Sequence, residues 1–321
     1  MKSDRVGLYH QPDIHGGEIM ETVVNYQPVK HTVFWEAQRG IIRYMGAVEP
    51  LGIIALCDEI KLLVEYYKYK RITLEIDSPG GEVRSLHYYL DKLRMWRKKG
   101  IKIETMALTQ CSSAGAFILS MGDLGCRMAM PRSSLLYHNV RIYGDGQQPL
   151  TSNRLGNLKT ALTQTDAEMM MELLRHLYSA VEQKYFDAIE GLICRLPYIE
   201  DSIIVNKGMN MFMLLKDNKL TKLLKTLPKN ASNGVYRNDL YRQLCERLRD
   251  RGKGLEDVKS VEGLDKHLKA LDAEAKEGLI LTWLFVRFEY YQALFEEDSS
   301  IRPEIAISEG LIDRIGVEYE C

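Results

Sequence analysis

From Gly40 onward, stretches with apolar residues at every second position alternate with stretches whose apolar residues recur three and four apart. Residues 41–46 predict a short strand. Residues 50–67 predict a helix, with Pro50 at its first position and Ile53, Ile54, Leu56, Cys57, Ile60, Leu63 and Val64 at helical spacing. A strand at 72–76, a helix at 83–98, a strand at 101–108 and a helix at 113–121 follow. Two more short strands are expected at 126–130 and 135–140. Strand, helix, strand, helix implies right-handed crossovers and a parallel sheet. After a polar, turn-rich loop at 143–149, a long helical pattern covers about 151–189. A second apolar helix, about 273–295, carries Leu279, Leu281, Trp283, Leu284, Phe285, Phe288 and Tyr291.

Two of the strand ends carry chemistry. The 101–108 strand turns through Thr109-Gln110-Cys111-Ser112-Ser113 into a small-residue helix beginning Ala114-Gly115-Ala116. A serine at such a turn lies beside the free N–H groups of a helix start, where negative charge is favoured. The small residues behind it let the helix pack closely enough to fix the hydroxyl, as a nucleophile requires. The 72–76 strand ends in Asp77-Ser78-Pro79-Gly80-Gly81, a glycine pair whose amides can approach a ligand.

In order and spacing, three motifs resemble the proteolytic subunit of the ATP-dependent Clp protease family. They are Ile-Asp-Ser-Pro-Gly-Gly at 76–81, Gln-Cys-Ser-Ser-Ala-Gly-Ala-Phe-Ile-Leu at 110–119, and Pro-Arg-Ser-Ser-Leu-Leu-Tyr-His at 131–138. The tail Glu309-Gly310-Leu311-Ile312-Asp313 resembles the family's closing segment. The resemblance covers about 32–183 and 293–317. It implies the α/β spiral of repeated ββα units, with a parallel sheet, that Clp proteases share with crotonases. It also implies a division into an N-terminal arm at 1–30, a protease core at 31–189 and 271–321, and a mostly helical insertion at 190–270. In that family the arm lines a ring's entrance pore, and the long helix forms a handle between rings. The alternative for the long helix is an amphipathic helix packed on its own core.

The resemblance further implies a Ser-His-Asp triad. Ser113 matches the nucleophile, two residues before Gly115. His138 matches the base, and Asp298, twelve residues before Gly310, matches the acid that orients it. The backbone N–H groups of Gly81 and Ala114 match the oxyanion donors. Ala114 stands where the family often has Met, Asp77 where it usually has Asn, and Glu297 where a basic residue often makes a ring–ring contact. Without the resemblance, Ser112 or Ser120 could be the reactive hydroxyl and Ser113 a helix cap. Likewise, His138 could be a strand-end histidine bonded to backbone, and Glu296 and Glu297 adjoin Asp298. The strand end at Gly80, with Glu82 and Val83, can pair main chain to main chain with an extended peptide, so broad cleavage of unfolded polypeptide is expected.

Composition restricts the remaining possibilities. Hydrophobic residues make up 45% and charged residues 27% of 321, enough for a sizeable core. A net charge of −1 gives no general reason to expect nucleic acid or a membrane surface. No apolar run approaches the about eighteen residues of a membrane span, and the N-terminus lacks a secretory pattern. Six cysteines without paired spacing suggest reduced thiols in the cytoplasm rather than disulfides or zinc. His10 and His15 read as bystanders in a loop, so no metal and no cofactor are expected. Lys216, Lys219, Lys222, Lys225 and Lys229 make the insertion locally basic, a pattern met more often on a solvated face than in nucleic-acid binding. No Walker motif is present, so a homo-oligomeric ring served by a separate AAA+ unfoldase is the implied assembly. A crotonase-like acyl-CoA enzyme and a non-catalytic or phage maturation-type assembly protein are the competing readings.

Overall fold

The computed structural model describes residues 32–36, 40–141, 152–195, 248–269, 271–298 and 300–316, together with 242, 245 and 246. The arm at 1–30, the loop at 143–149 and the lysines at 216–229 lie outside the described residues.

The architecture is α/β. In chain order the elements are β1 (Thr32–Glu36), β2 (Ile41–Met45), α1 (Pro50–Glu65), β3 (Arg71–Ser78), α2 (Val83–Lys98), β4 (Lys102–Ser112), α3 (Ala114–Ser120), β5 (Arg127–Ala129) and β6 (Ser134–Leu136). Next come α4 (Ser152–Leu177), α5 (Gln183–Glu190) with a π-helical turn at Gly191–Arg195, α6 (Val261–Leu268), α7 (Ala273–Glu296), β7 (Ser300–Ile301), α8 (Pro303–Ser308) and β8 (Arg314–Ile315). The sheet runs β1-β2-β3-β4-β5-β8, parallel from β2 to β8, with β1 antiparallel at its edge. Buried parallel strands need apolar residues on both faces. β3 meets this with Ile72, Leu74 and Ile76 on one side and the paired polar groups of Thr73 and Glu75 on the other. Thr73 Oγ1 donates to Glu104 at 3.1 Å, and Glu75 bonds Arg43.

The site depends on how β4 forks. Its first half pairs with β5 at Thr105–Ala107, and its last three residues pair with β6 at Gln110–Ser112. This second partner extends β4 four residues past the expected end at Leu108. Ser113 is thereby held at the end of a strand fixed on both sides. β6 then takes β7 antiparallel, Leu136 facing Ser300, which brings the chain's last quarter back to the middle of the sheet.

The helical pattern at 151–189 forms two helices rather than one. No glycine or proline interrupts 177–183. Instead, Tyr178 turns into the core, its ring 4.7 Å from that of Trp283 and its hydroxyl accepting from Arg287 Nε at 3.0 Å. Tertiary packing ends α4 there. The described residues between 242 and 269 join the same core. Cys245, Leu248, Leu255 and Leu264 are buried, Trp283 Nε1 donates to the Val258 carbonyl at 2.6 Å, and Arg249 pairs with Glu289. At the closing end, Arg127 grips Asp313 through Nε at 2.9 Å and Nη2 at 2.6 Å, and its own amide donates to the same carboxylate.

Candidate active site

Ser113 sits between β4 and α3 with φ 54° and ψ −126°, a backbone conformation that L-residues adopt at a cost of about 1–3 kcal/mol. Neighbouring contacts hold it there. Its N–H donates to the Leu136 carbonyl at 2.7 Å, and its carbonyl accepts from Phe117 N–H at 3.0 Å. The side chain makes no cap bond to the helix, so the hydroxyl remains free for chemistry. Its competitors are occupied. Ser112 Oγ is buried and accepts from Gln110 Nε2 at 3.0 Å, and Ser120 Oγ is bonded to the Tyr137 hydroxyl at 2.7 Å in the core. Cys111 is also buried, and burial, then the charge of Asp77, pushes its thiol well up, away from the reactive thiolate.

The glycines fit around this serine. A Cβ on Gly80 would lie 2.5 Å from Ser113 Cβ, 2.6 Å from the Ser112 carbonyl oxygen and 3.1 Å from Ser113 Oγ, and Gly80 has φ 95°. A Cβ on Gly81 would meet the Val48 carbonyl at 2.1 Å. A Cβ on Gly115 would press Ser78 at 2.8 Å, so this glycine sets how near α3 lies to β3. Val48 forms a parallel bridge with Gly81, donating to the Gly80 carbonyl at 2.8 Å and accepting from Glu82 N–H at 2.7 Å. The pairing groups of Gly80 and Glu82 on that side are therefore used within the chain. Gly81 keeps its own N–H and carbonyl for the opposite side. Ala114 opens α3, so its N–H has no acceptor within the helix.

Ser113, Ala114, Gly80, Gly81, Glu82, Val83 and His138 line one cavity of about 500 Å³, walled by apolar residues such as Phe117, Met169 and Phe295. His138, half-buried just beyond β6, lies with Nδ1 2.6 Å from the Asn139 carbonyl. A carbonyl can only accept, so Nδ1 carries the proton and Nε2 presents its lone pair. Asp298 has φ 52° and forms an ion pair with Arg141; both side chains are part-exposed. Ser113 and His138 thus share a cavity, and Asp298 lies near it on Arg141.

A further carboxylate lies in the cavity that sequence reasoning missed. Asp166, on α4, lines the wall and accepts from Val140 N–H at 2.5 Å. Burial pushes its carboxyl up, the Val140 bond and the electrostatic influence of nearby His138 pull it back, and Glu296 adds to the rise. It belongs to no motif. The only sequence signal was its place on the inward side of the long helical pattern, four residues before Met170.

Among the described residues there is no cluster of histidine, cysteine or acidic residues that could hold a metal, and no helix long and apolar enough to cross a membrane.

The comparisons with known proteins point the same way. The family model described as Clp protease matches residues 36–186. ATP-dependent Clp protease proteolytic subunit 1 of Mycolicibacterium paratuberculosis is 38% identical over 73 residues, covering 23% of this chain and 33% of the relative. The protein of the same name from Thermobifida fusca is 29% identical over 145 residues, covering 41% of this chain and 63% of the relative. The chain therefore spans less than two thirds of either relative's length. The parallel α/β core, the glycine-flanked serine turn and these matches together show that the chain is similar to Clp proteases over residues 36–186.

Proposed function

We propose that the chain is a serine endopeptidase of the Clp type, with Ser113 as nucleophile, His138 as general base and Asp298 as the acid that orients it. The observation that carries this reading is the strained Ser113, pressed against Gly80 in one cavity with an imidazole whose Nε2 is free to accept a proton.

In that reading an extended peptide lies along the free side of Gly81. Ser113 Oγ attacks the carbonyl carbon while its proton passes to His138 Nε2. The N–H groups of Gly81 and Ala114 take the charge that develops on the carbonyl oxygen, which water in the open would stabilise less rigidly. His138 then gives its proton to the leaving amine, and a water, activated by the same imidazole, releases the acyl group from Ser113. Because recognition is largely main chain to main chain, the substrates are unfolded polypeptides with little sequence preference. The relatives' names describe a proteolytic subunit of an ATP-dependent protease, which supports a partner that supplies ATP hydrolysis; in this reading the chain works as a homo-oligomeric ring with a separate AAA+ unfoldase. Among the described residues Cys57, Cys111, Cys126 and Cys245 form no disulfide, in keeping with a reducing, cytoplasmic setting.

A fluorophosphonate probe tests the reading. It should label the wild-type protein at Ser113 and leave the Ser113→Ala protein unlabelled; equal labelling of the two would sink it. One observation favours the non-catalytic alternative, namely that Asp298 is engaged by Arg141. A protein that forms rings yet takes no probe, and leaves casein intact with an unfoldase supplied, would decide for that alternative.

A further inference from the structure

Two aspartates lie near the His138 segment, Asp166 on the cavity wall and Asp298 beside it on Arg141, and they are differently placed. Asp298 is tied to Arg141 and open to water. Asp166 is half-buried and, among the described residues, forms no ion pair. One of its oxygens takes the amide of Val140, two residues beyond His138, and so fixes the backbone on which the imidazole hangs. Its other oxygen has no such partner. Asp166 and His138 also line the same cavity.

We infer that Asp166 is a positioning residue for His138: it anchors the 138–140 backbone through Val140 and stabilises the imidazolium that forms when the base takes a proton. This rests on the reading of His138 as the base. The physical argument concerns distance and solvent. A fixed negative charge at the wall of a low-dielectric cavity acts on a neighbouring imidazolium more strongly than a part-exposed carboxylate already neutralised by a guanidinium. The other charged groups about the imidazole are Arg141 on its own segment, Glu49 and Glu82 across the cavity, and Glu296 and Asp298 at the end of α7. Arg141 opposes imidazolium formation and is itself offset by Asp298. Glu296 acts on Asp166. Asp166 alone among these carboxylates also holds the histidine's backbone.

Asp166→Asn separates the two roles, because the amide oxygen still accepts from Val140 while the charge is gone. The His138 titration, followed by NMR in the unreactive Ser113→Ala background with ¹³C-labelled histidine, should move down by about one pH unit in Asp166→Asn, the size expected for one neighbouring charge. In the active background the acid limb of Ser113 probe labelling should shift down by the same amount, with the labelling plateau lower. Asp166→Ala, which loses the anchor too, should additionally broaden or displace the Val140 amide resonance. An unshifted His138 titration in Asp166→Asn would overturn the inference, as would a shift produced only by Asp298→Asn. The NMR readout needs no turnover. A protein in which Ser113 takes no probe would therefore refute the proteolytic reading without deciding this one.

Discussion

Arg141, which lines the same cavity as His138, holds Asp298 in an ion pair. The imidazole meanwhile donates from Nδ1 to the Asn139 carbonyl, a neutral acceptor that fixes its tautomer but adds no charge to stabilise an imidazolium. In the proposed triad, Arg141 would therefore compete with His138 for Asp298. Replacing Arg141 with Gln should free Asp298 and raise the rate of Ser113 probe labelling several-fold. Labelling kinetics at a single pH measure this, and a fall in rate would show that Arg141 supports the active arrangement.

The contact between Gly80 and Ser113 leaves no room for a side chain. In Gly80→Ala the new Cβ must displace either Ser113 or the Ser112 carbonyl, at a positive φ that alanine resists. We expect loss of more than nine tenths of probe labelling and a loss of stability of about 2–4 kcal/mol. Denaturant unfolding and labelling on the same sample check both. A variant as stable as wild type would show that the turn can yield.

Strain at Ser113 predicts an order of stabilities rather than a single value. Alanine keeps the cost of φ 54°, whereas glycine relieves it. Ser113→Gly should therefore unfold at higher denaturant than Ser113→Ala, by about 1 kcal/mol after the chain entropy of glycine is offset. Both lack the hydroxyl, so function does not enter the comparison.

His176 gives the fold an acid sensitivity. Its Nε2 donates to the Gly122 carbonyl at 2.7 Å, and Nδ1 faces Arg97 at 3.3 Å. Burial, then Arg97 and Arg127, depress it from the ordinary 6.5 to about 3. The folded protein resists protonating this ring while the unfolded chain does not. Its contribution is thus complete above about pH 6.5 and is lost progressively as the pH falls towards 3. Unfolding free energies between pH 7 and 4 should decline, and His176→Gln should flatten that slope. An unchanged slope would place the sensitivity elsewhere.

Asp166 carries the opposite sign. Its carboxyl is raised in the folded state, so its charge costs stability above the unfolded carboxylate range and the cost fades as the pH falls. Asp166→Asn should be more stable than wild type at pH 7, with the difference closing near pH 4. Thermal melts at the two pH values measure it.

Much of this molecule was legible in the order of its residues. The strand–helix alternation from Ile41 to Met121 follows from apolar spacing, because each element must bury one face or both. The glycine pair and the serine turn stood out for the same kind of local reason, since only small residues permit such close backbone approaches. What local pattern could not supply was partnership. β4 runs on to Ser112 only because β6 pairs with it there. The helical stretch breaks at Tyr178 because that ring is claimed by Trp283 and Arg287, with no helix-breaking residue to announce it. The same holds for charge. A motif nominates Asp298 whatever its neighbours, but only the folded chain gives it to Arg141 and sets Asp166, from a helix without a motif, against the histidine's backbone. Hydrophobic periodicity is a property of neighbouring residues, whereas the electrostatics of a site are decided by residues that lie far apart in sequence until the chain folds.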